Sequence, residues 1–80
     1  MTHEDTMAVY TLDASGLRCP QPILKIAVVS ADLMPGDLLD VIADCPTFDK
    51  DIRTWCRRLG KSLLSIQEEG EYRKKVRILF

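Results

Sequence analysis

Cys19 stands in the stretch "LDASGLRCPQPILK", residues 12 to 25, between a strand-like run and a helix-like run, with prolines on its carboxyl side at Pro20 and Pro22. A thiol there is placed for nucleophilic chemistry. The amino end of a helix carries unpaired backbone N–H groups and the positive end of the helix dipole, both of which favour an anion. Thiolate is the nucleophilic form of cysteine, and a helix N-terminus can lower its pKa well below the free value of about 8.5. Cys19 is expected at the N-cap or in the first turn. Pro20 suits the first helical position, since its fixed φ fits a helix start and its missing N–H would have been unpaired there. Pro22 still lies within the first turn, which leaves the N–H groups of Gln21 and Ile23 available to the sulfur. The plainer alternative is a small buried substitute for the usual Ser, Thr, Asp or Asn cap.

The elements that must hold this thiol can be traced along the chain. Residues 8 to 13, "AVYTLD", alternate apolar and polar side chains as a half-buried strand does. From Pro20 to about Met34 the residues Ile23, Leu24, Ala27, Val28, Ala31 and Met34 share one side of a helix, which stops at Pro35-Gly36. Its polar sector is narrow, essentially Lys25 and Asp32, because Ile26, Val29 and Leu33 extend the apolar surface around the flank. Such a helix is either broadly covered or keeps an exposed flank that docks a partner. "DLLDVIA", 37 to 43, is apolar enough for a central strand. A second helix runs from about Thr47 to Leu59, with Phe48, Ile52, Trp55 and Leu59 in one narrow arc and Gly60 as its stop. "KSLLSIQE" and "YRKKVRIL" alternate as a terminal hairpin around Gly70. This order predicts an α/β fold with both helices on one face of a mixed four-stranded sheet. If the first two strands are parallel, Cys19 lies just past the carboxyl end of the first, the edge where open α/β sheets bind ligands.

At 80 residues, the chain has room for one small core and no second. Its 46% hydrophobic and 29% charged residues are ordinary for a soluble globular protein. A formal net charge of −1 gives no general pull toward nucleic acid or acidic lipid. "MTHEDTM" lacks the basic start and apolar run of a secretory signal, and no apolar run approaches the roughly 20 residues of a membrane span. Cys19, Cys45 and Cys56 form an odd set without CxxC spacing, which points to reduced thiols in a cytoplasmic chain rather than a disulfide-stapled domain.

The motif resembles the signature of the TusA/SirA family of small sulfur-carrier proteins, in which Cys-Pro-x-Pro opens the first helix after a Leu-Asp-x-x-Gly-Leu lead-in. Here those residues are Leu12, Asp13, Gly16, Leu17, Cys19, Pro20 and Pro22. The similarity continues through "MPGDLLDVIAD", "DIRTWC" and the terminal hairpin, from about Tyr10 onward. It implies a β-α-β-α-β-β two-layer sandwich over residues 8–80, a single TusA-like domain behind a disordered polar tail at 1–7. It also implies that Cys19 accepts sulfane sulfur as a persulfide and relays it to an acceptor protein. Relatives take sulfur from a cysteine desulfurase or a rhodanese-like protein and feed tRNA thiolation, molybdenum-cofactor assembly or sulfur oxidation. Thiolate attack on sulfane sulfur suits the helix-start thiol and requires neither metal nor organic cofactor. A monomer or weak dimer is expected.

One departure from the family pattern bears on the site. The family commonly has Asp-Asp-Pro after the second strand, whereas this chain has Asp44-Cys45-Pro46. Cys45 is then either a second thiol near Cys19, able to resolve a persulfide or form a protective disulfide, or a replacement for a capping Asp. Closure of the pair needs Cα atoms within about 7 Å. Asp13 and Asp44 are candidates for orienting the site, although Asp is also an ordinary loop residue. Cys56, beside Trp55, belongs to the core. A zinc site from the three cysteines and His3 lacks the close ligand pairs such sites use. Arg57, Arg58 and Lys61, with Arg73, Lys74, Lys75 and Arg77, read as solvated faces or as a docking surface for an acidic partner protein. Direct nucleic-acid binding is not expected, because aromatic interleaving is absent. Two functions remain open: a sulfurtransferase carrying persulfide on Cys19, or a non-catalytic binding or regulatory module with a rigid helix cap. Thiol reactivity separates them.

Overall fold

The computed structural model describes residues 8–80. Its elements are β1 (Val9–Asp13), α1 (Gln21–Ser30), β2 (Leu38–Ala43), α2 (Phe48–Leu59), β3 (Ser62–Glu68) and β4 (Lys74–Leu79). The expected tail at 1–7, with His3, lies outside the described residues. The strands form one sheet in the order β1-β2-β4-β3. β1 runs parallel to β2 with Val9 opposite Leu38 and Asp13 opposite Ile42, and β4 runs antiparallel to both its neighbours. Parallel strands need a crossover connection, which α1 supplies. The mixed sheet, the central position of β2 and the terminal hairpin all agree with the hydrophobic pattern.

Alternation along the two central strands divides the sheet into two faces. Leu39, Val41 and Ala43 of β2 and Val76 and Ile78 of β4 join Ile26 of α1 and Phe48, Ile52 and Cys56 of α2 in one buried cluster. Both helices therefore cover the same face. The opposite face holds Asp40, which pairs in register with Arg77 and accepts two hydrogen bonds from its guanidinium, at 2.7 and 2.8 Å. α2 is the cleaner helix. Its amino end carries Asp49 and Asp51, its last turn Arg57 and Arg58, and Gly60 closes it in the left-handed region at φ 71°. The N–H of Lys61 returns to the Cys56 carbonyl at 2.9 Å, satisfying a carbonyl that the helix leaves free.

α1 departs from expectation in length and in orientation. It ends at Ser30 rather than near Met34, and the chain continues in three-residue turns, Asp32 N–H to Val29 O at 3.0 Å and Leu33 N–H to Ser30 O at 3.1 Å. The Gly36 N–H then bonds to the Phe80 carbonyl at 2.8 Å, so β-pairing claims the segment that helical periodicity would have extended. The side facing the sheet is Pro22 and Ile26, with Ile23, Val29 and Leu33 packed against the cluster. The side expected to face inward is open: Leu24 is 60% and Val28 72% exposed, with Ala27 and Ala31 beside them. A helix apolar nearly all round carries no phase, and tertiary packing set it with Pro22 and Ile26 toward the sheet. β3 also differs from simple alternation. A register shift between Leu63 and Ser65 leaves Leu64 exposed, which lets Leu63 and Ile66 both pack on the core.

The Asp40–Arg77 pair generates a pH test. Hydrogen bonds from Arg77 hold the Asp40 carboxyl below its ordinary value of 3.8, against the upward pull of burial. A depressed folded pKa contributes stability that is complete above the unfolded value and is lost as pH falls through the folded one. Asp40→Asn is expected to cost about 2 kcal/mol at pH 7, the scale of hydrogen bonds to charged groups. In urea melts between pH 5 and about pH 2, the wild type should lose stability more steeply than the variant. Parallel losses would show that the pair contributes nothing.

Candidate functional site

The loop that carries Cys19 leaves β1 under tight control. Ala14 N–H extends the parallel pairing to the Ile42 carbonyl at 2.7 Å. Asp13 Oδ1 accepts the Ser15 N–H at 3.0 Å. A turn then closes from Leu17 N–H to Ala14 O, with Gly16 at φ 84° in the position where such turns favour glycine. The Gly16 N–H donates to both carboxylate oxygens of Asp44, at 3.0 and 3.2 Å. Asp44 thus ties the approach to Cys19 to the end of β2.

The helix start is displaced by one residue from the sequence reading. Pro20 is the N-cap of α1, reached through a cis peptide bond, and Pro22 occupies the second helical position. Cys19 therefore precedes the cap. The Gln21 N–H is committed to the Arg18 carbonyl at 2.7 Å and the Ile23 N–H to the Pro20 carbonyl at 3.0 Å, so neither serves the sulfur as expected. The Cys-Pro-x-Pro segment needs its own N–H groups to close the turn into the helix.

Cys19 finds its partners on α2. Thr47, the N-cap of α2, makes no capping bond to its own helix, and its hydroxyl lies 2.9 Å from Cys19 Sγ, 3.5 Å from Cys45 Sγ and 3.1 Å from Asp51 Oδ2. One hydroxyl carries one proton, so Thr47 donates either to the Asp51 carboxylate or to a sulfur anion. The Cα atoms of Cys19 and Cys45 are 5.8 Å apart, a backbone spacing ordinary for a disulfide. Cys45 is 5% exposed beneath the surface, whereas Cys19 is partly exposed. The sulfur pair thus lies between the amino ends of both helices, where two helix dipoles favour a negative charge and the Asp51 carboxylate opposes it.

A shallow cleft of about 520 Å³ opens over the pair, lined by Gly16, Leu17, Arg18, Cys19, Asp44, Cys45, Pro46 and Thr47. A second groove of about 330 Å³ runs between the helices from Pro20 and Ile23 to Trp55 and Leu59, with Asp51 and Arg58 beside it. Cys19 Sγ, Cys45 Sγ and an Asp51 oxygen lie within 4.8 Å of one another. Cys56 takes no part. It is buried in the core, and burial pushes its thiol up. Among the basic residues, Arg77 is engaged by Asp40, Lys74 lies 3.7 Å from Glu68, and Lys61 sits over the Phe80 ring at 5.1 Å.

Sequence reasoning singled out Cys19, Pro20, Gln21, Pro22, Cys45, Asp13 and Asp44, and the structure gathers these at one sheet edge. It missed Thr47 and Asp51 as site residues. Their four-residue separation at a helix start, directly after Cys45-Pro46, was the available signal, because residues so spaced share a helix face.

Comparisons with known proteins bear on the same residues. The family model described as Sulfurtransferase TusA matches residues 10–78. The Sulfur carrier protein TusA of Pseudomonas fluorescens strain SBW25 is 42% identical over 71 residues, covering 88% of this chain and 86% of the relative. The proteins of the same name from Pseudomonas paraeruginosa strain PA7 and Pseudomonas aeruginosa strain LESB58 are each 46% identical over 59 residues, covering 74% of this chain and 75% of theirs. With nearly every described element, and Cys19 among them, inside the match, the chain belongs to the TusA family.

Proposed function

We propose that this sulfur carrier accepts sulfane sulfur as a persulfide on Cys19 and passes it, by nucleophilic covalent transfer, to a second protein. The observation that carries the reading is the placement of Cys19: of the three cysteines it alone is partly exposed, while Cys45 and Cys56 are 5% and 3% exposed. A thiolate there attacks the donor's sulfane sulfur, and the Thr47 hydroxyl can turn from Asp51 to donate to the resulting anion. The cleft over Cys19 leaves room for the added sulfur. Pro20 and Pro22 fix the thiol against the helix start, and Asp13 and Asp44 hold the loop before it. Among the described residues no helix is long and apolar enough to cross a membrane. The reading takes the cytoplasm as the compartment, where closely placed thiols remain reduced.

A donor protein needs a surface to meet. Pro20, Leu24, Ala27, Val28 and Ala31 form an exposed apolar line along α1 that begins beside Cys19, and the inter-helix groove starts at the same proline. Monomeric domains seldom leave such lines uncovered without a use for them. A cysteine desulfurase or a rhodanese-like protein is the donor this reading assigns to that line, which gives the exposed helix a part in sulfur relay rather than a separate regulatory role.

Intact-mass measurement on reduced protein after exposure to a sulfane-sulfur donor should show a reductant-labile gain of one sulfur atom in Cys45→Ser and Cys56→Ser and none in Cys19→Ser. An adduct retained without Cys19 would put the carrier on another residue. No adduct with any of several donors would favour a non-catalytic binding module.

The pair Leu24→Glu and Val28→Glu, both at exposed positions, is expected to change stability by no more than about 0.5 kcal/mol each. Uptake from a small-molecule donor should be unchanged. Uptake from a cysteine desulfurase should fall about tenfold, as the loss of roughly 1.4 kcal/mol of contact would give. Equal uptake from the protein donor would remove α1 from the docking surface.

A further inference from the structure

We propose that Cys45 discharges the Cys19 persulfide within the chain, releasing hydrosulfide and leaving a Cys19–Cys45 disulfide. The inference rests on the carrier reading of Cys19 and adds to it a second outcome for the bound sulfur.

The geometry is that of a resolving thiol. Cys45 lies under Cys19 with Cα atoms 5.8 Å apart, a backbone spacing at which the two side chains can be bridged. The cleft that both cysteines border has room for the terminal sulfur of a persulfide on Cys19, while Cys45, only 5% exposed, lies beneath Cys19 at its floor. Cys45 therefore meets the inner sulfur, and an incoming acceptor meets the outer one. Which thiol arrives first decides whether sulfur is handed on or lost as sulfide.

The step balances with the groups present. The Cys45 thiol gives up its proton and its sulfur forms a bond to Cys19 Sγ. The bond between Cys19 Sγ and the terminal sulfur breaks, and its electron pair leaves with that sulfur. An anionic persulfide and a neutral thiol thus become a disulfide and hydrosulfide. The sulfane sulfur is reduced by two electrons, and the two cysteine sulfurs are together oxidised by two. Thr47, within 3.5 Å of Cys45 Sγ and 2.9 Å of Cys19 Sγ, is placed to pass the proton from Cys45 toward the leaving sulfur, with Asp51 accepting from the same hydroxyl at 3.1 Å when no sulfur anion is present. A dithiol reductant, supplied from outside, returns the disulfide to two thiols and readies the chain for another cycle.

The test follows one turnover. Full chains are reduced, freed of reductant, loaded from a persulfide donor without oxygen and sampled over time for intact mass and free sulfide. Wild type should release one hydrosulfide for each persulfide lost and accumulate the intramolecular disulfide, which a dithiol reverses. Cys45→Ser and Cys45→Ala, the second guarding against a packing defect in the first, should hold the persulfide at least about tenfold longer, since a positioned intramolecular thiol far outpaces thiols in solution. With the rate taken per persulfide loaded, Thr47→Val should discharge about tenfold or more slowly, with Thr47→Ser restoring the rate, as expected of a proton-transferring hydroxyl. If the Cys45 variants load but lose persulfide as fast as wild type, the inference is overturned and the carrier reading stands. If they take up no sulfur while folded, both fall. A Thr47→Val chain as fast as wild type would exclude the hydroxyl from the step.

Discussion

Parallel pairing of β1 with β2 is the constraint on which the site depends. Two parallel strands end at the same edge of the sheet, so the segments that leave them, residues 14–19 and 44–47, emerge side by side. An antiparallel pair would have sent them to opposite edges and separated the two cysteines by the length of the strands. The pairing runs one residue past β1 through the Ala14 N–H, and Asp44 then clasps the Gly16 N–H across the gap. That clasp joins the loop before Cys19 to the residue that precedes Cys45. Sulfur chemistry at this edge is thus a result of strand direction before it is a result of any cysteine.

The remainder of the fold keeps that edge steady. β4, antiparallel to β2, gives the two central strands their shared buried face, and α2 covers it with Phe48, Ile52 and Cys56. α2 has a favourable charge order at both ends and a left-handed glycine closure, so its amino end is a firm platform for Thr47 and Asp51. α1 contributes less to the core, chiefly Pro22 and Ile26, and leaves Leu24 and Val28 in water. In an 80-residue chain with little core to spare, apolar residues left outside reduce what burial can contribute to stability. The arrangement is coherent if α1 is covered part of the time by another protein.

Much of this was legible beforehand. The six-element order follows from local periodicity, and β4 and the Phe48–Ile52 side of α2 show their buried faces by spacing, whereas Leu59, expected in the same arc, is exposed at the helix end and β3 breaks its alternation at Leu64. The phase of α1 was not legible, because residues such as Leu24, Ile26, Val28 and Val29 surround its axis and only tertiary packing selects among them. At the site, Cys19 and Cys45 could be placed on one edge given parallel strands, yet their contact depends on the loop geometry that Gly16 and Asp44 create. The expectation that Gln21 and Ile23 would serve the sulfur failed for a local reason. A helix that begins one residue later uses those N–H groups in its own first turn.

Thr47 shows how the domain divides stability from chemistry. A threonine at an N-cap ordinarily turns its hydroxyl toward its own helix, and losing that bond costs about 0.5 to 2 kcal/mol. Here the hydroxyl faces Cys19, Cys45 and Asp51 instead. α2 can forgo the cap because Asp49 and Asp51 still favour its amino end, and its buried face is anchored in the core. A single proton shared among two sulfurs and a carboxylate is a poor structural staple, since it satisfies one acceptor at a time. It would suit the persulfide site proposed above, where the hydroxyl could donate to Asp51 beside neutral thiols and to the sulfur once that is charged. On that proposal, the stability that the helix end gives up is exchanged for a hydroxyl able to follow the charge on the sulfur.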